Sequence, residues 1–200
     1  MSSQETIREK GGMNCYHESI HDFFDSFPLS HARIYLLSAC KAAESNHIWN
    51  KKPPVDLLFF FESLERLLSA VFTVVKSDRL SSKAVIRKPV ITPDLNLHDL
   101  YCASIDGSSA WDCFPRSLSV KEYTNPYRVL QKVTERAPKK EWNGILRDIL
   151  HYALGSSSLS ELGVNLELVT ISELLLKMLD ACHLIDVRVN VQKNIVQSKK

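Results

Sequence analysis

Glycine is scarce in this chain, with 6 among 200 residues. An all-β fold that turns tightly every few residues needs more of it, so the scarcity argues for another class. Uncharged apolar runs approaching the roughly 18 residues of a membrane span are missing, and no membrane-spanning segment is expected. The first twelve residues, MSSQETIREKGG, are polar and hold no secretory core. The five cysteines, at 15, 40, 102, 113 and 182, form no CxxC pair and are odd in number. Reduced thiols and a cytoplasmic location are therefore expected. No glycine-rich phosphate loop and no GxSxG element occurs. Charge of one sign is lacking too: the net +2 is too balanced to point to nucleic acid or a membrane surface. The densest basic stretch, Arg79, Lys83, Arg87 and Lys88, reads as a solvated loop.

What the chain has in abundance is helical periodicity. Its hydrophobic fraction of 44% and charged fraction of 24% are ordinary for a folded protein. Residues 14–27 place Ile20, Phe23, Phe24 and Phe27 on one helical stripe. Residues 30–44 follow as a second helix, with Ser30 as its N-cap. Residues 55–76 carry the strongest pattern. Leu57, Phe60, Phe61, Leu64, Leu67, Leu68 and Val71 face one way and Glu62, Glu65 and Arg66 the other, which predicts the central helix of the core. Further helices are expected over 119–136, interrupted near Asn125 and Pro126, over 138–154 with Gly155 as C-cap, and over 165–186. Val187, Val189 and Val191 alternate with polar residues and predict an extended end.

A shift of 111 residues lays 31–76 over 142–187 without a gap. Ile34 then falls on Ile145, Ala42 on Ala153, Leu57 on Leu168 and Leu64 on Leu175. Both stretches read as helix, loop, helix. The expected fold is mainly α: a helical bundle built from two similar helical hairpins, with an irregular middle that has room for a short strand or hairpin. The expected organisation is a disordered tail at 1–12, one helical domain over 13–187, and a C-terminal tail at 188–200. Within the domain, hairpin one spans 30–76, the insert 77–118 and hairpin two 138–187.

Two constellations bear on chemistry. His17-Glu18-Ser19-Ile20-His21 is an HExxH sequence. On a helix, residues at i and i+4 share a face, so His17 and His21 can share a zinc ion and Glu18 can act as general base on metal-bound water. These five residues resemble the zinc metallopeptidase signature. The resemblance implies His17 and His21 as ligands, Glu18 as base and a third ligand downstream, for which Glu44 is a position. Non-catalytic metal binding by Cys15, His17 and His21 is the other reading. The second constellation is Arg147 and His151, again at i and i+4. It resembles the arginine–histidine pair of HEPN ribonucleases, which implies acid/base chemistry by His151 and phosphate binding by Arg147. Those enzymes place four to six residues between the pair, and this chain places three.

Each residue also has a plain structural role to fill. Cys113, beside Trp111 and Asp112, lacks a motif that supplies a histidine base. Cys182 and Phe59-Phe60-Phe61 read as core, and His183 as a satisfied histidine at the bundle rim. The function expected is a non-enzymatic helical scaffold or protein-interaction domain that takes a protein partner or forms a homodimer. The alternative is a small hydrolase, zinc-dependent or HEPN-like. Outside the HExxH reading no cofactor is expected, and neither nucleic acid nor membrane is an expected partner.

Overall fold

A computed structural model describes residues 16–45, 47–77, 84–86, 111–159 and 167–197, and for 190–197 the backbone alone. Helix α1 covers 16–26. It is followed by α2 (Leu29–Glu44), α3 (Pro54–Lys76), α4 (Val120–Thr124), α5 (Tyr127–Arg136), α6 (Lys139–Leu154) and α7 (Leu168–Gln197). No strand occurs among the described residues, so the class is mainly α. The expected disordered tail, the basic stretch at 79–88 and most of the middle segment lie outside the described residues, apart from Ala84, Val85 and Ile86.

Local chemistry accounts for most boundaries. Proline opens several helices, because its missing N–H is not needed in the first turn. Pro54 is the first residue of α3, and Pro28 and Pro138 precede α2 and α6. Ser30, expected as an N-cap, instead lies inside the first turn of α2. Asn125, held extended at φ −136° and ψ 89° ahead of Pro126, separates α4 from α5. Ser119 starts α4 with a capping box: its hydroxyl accepts from Glu122 N, and Glu122 accepts from the Ser119 backbone. Gly155 ends α6, where a Cβ would stand 3.1 Å from the carbonyl oxygen of His151.

Helix α7 departs furthest from expectation. It continues unbroken to Gln197, so the valine alternation at 187–191 marks neither a strand nor a tail. Every residue from 178 to 189 is buried. A helix covered on all sides has no polar face, so its sequence carries little 3.6-residue periodicity to recognise. This helix, rather than α3, is the central element. Helix α3 keeps one solvent face, with Phe59 and Arg66 exposed and the stripe from Leu57 to Val74 buried.

The packing crosses between the two helix–loop–helix stretches. Helix α2 packs chiefly on α6 and α7, and touches α3 only slightly. Helix α6 packs on α2 and α3, and α5 fills the space between α3 and α7. One cluster of buried side chains takes members from α1, α2, α3, α5, α6 and α7, with Trp142, Tyr127, Phe24 and Phe60 the largest. At the shared end of α2 and α6, each following loop satisfies an open last-turn carbonyl of the other helix. Trp49 N donates to Ala153 O at 2.8 Å, and Leu159 N donates to Ala43 O at 3.0 Å.

Candidate functional site: the polar column of the central helix

Asp180, His183, Asp186 and Arg188 interrupt the apolar sequence of α7 and are all buried. A buried charge is tolerated only when paired and hydrogen-bonded. Each of these groups is met by residues from outside α7.

The most complete set surrounds Asp180, which is 0% exposed. Its Oδ1 accepts from Arg33 Nε at 3.0 Å and from Arg33 Nη2 at 2.6 Å. Its Oδ2 accepts from Ser117 N at 2.9 Å and Ser117 Oγ at 2.6 Å. The same guanidinium donates to Asp112 O at 2.8 Å and to Phe114 O at 2.7 Å. Helix α2, helix α7 and the segment 111–118 are thereby fastened at one point. At the far end of the column, Arg188 Nη1 donates to Ala84 O at 2.8 Å and Tyr123 O at 2.9 Å. Its guanidinium lies 4.8 Å from the centre of the Tyr123 ring, within cation–π range.

Between these two, Asp186 faces α1. His21 Nδ1 lies 3.3 Å from Asp186 Oδ2, and His21 Nε2 lies 3.6 Å from Asp25 Oδ2. The hydrogen bond from Asp186, reinforced by the charges of Asp186, Asp25 and Asp22, outweighs burial and raises the His21 imidazole above its ordinary pKa. His183, at 1% exposed, packs its ring edge-on to Phe24 with centroids 5.0 Å apart; it is a core residue, not a rim residue.

Glu122 is a further buried charge, beside α7. Burial works against its ionisation. Lys132 Nζ at 2.7 Å, Ser119 N and Oγ at 2.9 and 2.8 Å, and Lys177 Nζ at 3.6 Å prevail and hold its carboxyl down at about 2.

The chemical candidates fall outside any such convergence. In the HExxH sequence, His21 is engaged by two aspartates, while Glu18 is exposed to solvent. Cys15 lies outside the described residues, and Glu44 is the last residue of α2. Among the described residues no group of three His, Cys, Asp or Glu side chains is placed to hold a metal ion. Arg147, 72% exposed, reaches across to Glu65 on α3 at 3.5 Å. His151 is also exposed and meets Tyr152 edge-on at 5.1 Å, so the pair stands on an open surface.

The cysteines divide. Cys40 and Cys182 are free and buried; burial pushes the Cys40 thiol up to about 12 and raises that of Cys182 further. Cys113 is disulfide-bonded, which corrects the expectation of reduced thiols and removes it as a nucleophile. Arg33, Ser117, Glu122, Asp180, Asp186 and Arg188 were not singled out by sequence. A signal was present on α7, where Asp180, His183, Asp186 and Arg188 punctuate the apolar stretch from Met178 to Val189. Among the described residues no helix is long and apolar enough to cross a membrane. No protein family, no curated protein and no solved structure matches this chain.

Proposed function

We propose that this chain is a non-enzymatic helical interaction domain, built from a duplicated helix–loop–helix unit, that associates with a second copy of itself. The observation that carries the reading is the distribution of exposed apolar side chains. Six of the ten large ones exposed among the described residues fall between positions 34 and 59. Ile34 and Leu37 come from α2, Ile48 from the following loop, and Val55, Leu58 and Phe59 from α3. The same segments meet in an aromatic cluster: Tyr35 lies 5.7 Å from Trp49 and 5.3 Å from Phe60, and Phe27 lies 5.4 Å from Phe59, between ring centres. Exposed apolar side chains on these neighbouring segments suit a protein contact.

The buried polar groups support the same reading from the other side. Asp180 and Glu122 spend their acceptor capacity on bracing the bundle, which suits a rigid scaffold better than a site kept ready for proton transfer. Duplication is supported by the shift of 111 residues, which brings α2 onto α6 and α3 onto α7. Under it, the α2–α7 packing corresponds to the α6–α3 packing, and the two loop-to-carbonyl bonds correspond within one residue.

The test is light scattering of the purified chain over a wide concentration range, with Ile34→Glu/Leu37→Glu alongside. The expected result is concentration-dependent dimerisation in the natural sequence and a folded monomer in the variant, because both substituted side chains are already exposed. A natural chain that stays monomeric throughout overturns the reading, as does a dimer indifferent to the double substitution.

A further inference from the structure

Helix α2 leaves one face open. Ile34, Leu37, Lys41 and Glu44 are all exposed, and they follow one another at intervals of three, four and three residues. That is the spacing of a seam by which one helix packs along another. The residues that α2 turns to its own bundle are different ones: Leu29, Ala32, Leu36, Ala39 and Ala43.

The two halves of this seam are unlike. The first half is apolar, with Ile34 55% exposed and Leu37 47%. Beside the second half lies a pocket of about 430 Å³, where residues 47–51 fold back along α2. Lys41, Ala42 and Ser45 line its helical side, and Ile48, Trp49 and Lys51 its loop side. Together with Ser38, the helical side is a set at i, i+3, i+4 and i+7, which is the hole of a knobs-into-holes contact. The pocket is formed in advance, because Trp49 is pinned twice: Nε1 donates to Ser38 Oγ and the backbone N to Ala153 O, each at 2.8 Å.

Resting on the self-association reading above, we infer that two copies pair α2 against α2 in antiparallel order, each Ile34 entering the other copy's pocket. Ile34 and Lys41 lie two turns apart on one face, about 10 Å along the axis. Reversing the helix about Leu37 therefore sets each Ile34 over the partner's Lys41 and Ala42. The two Leu37 side chains then meet beside the two-fold axis. An isologous contact needs both complements on the same patch. The apolar side chain and the pocket that takes it lie on one helix, so a second copy fills both pockets at once. Charge selects the direction. Parallel pairing would set Lys41 on Lys41 and Glu44 on Glu44, and would leave both pockets empty. Antiparallel pairing sets each Glu44 opposite the partner's His31 and lays the Lys41 methylenes along Ile34.

The experiment measures the dimer dissociation constant by light scattering for the natural chain, Ile34→Lys, Ile34→Lys/Lys41→Glu and Ile34→Lys/Lys76→Glu. Ile34→Lys carries an ammonium to the partner's Lys41 and Lys51, and is expected to weaken the dimer by about tenfold or more. Adding Lys41→Glu turns that repulsion into attraction and is expected to recover most of the loss. Lys76→Glu makes the same change in net charge at the C-terminal end of α3 and is expected to recover nothing. Ile34, Lys41 and Lys76 are exposed, so the variants stay folded, as circular dichroism verifies. A natural chain that is monomeric at every concentration overturns the self-association reading itself. A natural dimer that Ile34→Lys leaves intact, or that Lys41→Glu rescues no better than Lys76→Glu, overturns the antiparallel seam alone.

Discussion

Replacing Asp180 by asparagine preserves its shape and removes its charge. In the natural chain Oδ1 takes two donors from Arg33 and Oδ2 takes two from Ser117. Asparagine must turn an amide NH₂ towards one of those pairs, donor against donor, and leaves the Arg33 guanidinium without a counter-charge. Asp180 is 0% exposed and Arg33 6%, so water cannot make up the loss. Breaking a buried pair from one side costs about 3–5 kcal/mol, a large share of the roughly 5–15 kcal/mol by which a domain is stable. Arg33→Met is expected to cost a similar amount, because the Asp112 and Phe114 carbonyls lose their donors as well. Arg33→Met/Asp180→Leu removes both charges together, so its cost falls short of the sum of the single changes by about 2 kcal/mol or more. Urea unfolding followed by circular dichroism measures all three. A second readout is local: Arg33→Met exposes 111–118 to limited proteolysis under native conditions, since Arg33 holds two of its carbonyls. Single variants that lose less than about 1 kcal/mol, or costs that simply add, would refute the account of this network as the fastening between α2, α7 and that segment.

Two other perturbations follow from the same structure. Glu122 ionises at about 2 against an ordinary value of 4.5, so its contribution is complete above pH 4.5 and is lost as pH falls towards 2. Glu122→Gln is therefore expected to lose about 3 kcal/mol at neutral pH and to show a flatter acid limb; parallel urea midpoints for variant and natural chain on acidification would contradict this. Trp142 is fully buried, with Nε1 donating to Val133 O at 2.9 Å, so Trp142→Ala is expected to cost about 3–5 kcal/mol in chemical unfolding. Trp142→Phe, which keeps one ring, should cost clearly less, and equal costs would show that ring volume is not what stabilises the site.

The candidate chemistry was legible only as pattern. HExxH and Arg147–His151 are true statements about which residues share a helical face. What those residues meet depends on other helices. His21 meets Asp186, 165 positions away, and Arg147 meets Glu65 on α3.

Sequence by itself determined several of the helix boundaries. Pro54 opens α3, Asn125–Pro126 divides α4 from α5, and the stripe from Leu57 to Val74 marks a buried face. These are local matters of fixed proline φ, the restriction on the residue before it, and 3.6-residue spacing. Only the tertiary structure decided which helix is central and which buried charges are partners. Burial on every side erased the periodicity that would have announced α7, and the Arg33–Asp180 pair spans 147 residues. No local rule joins groups so far apart; the packing that places α2 against α7 does.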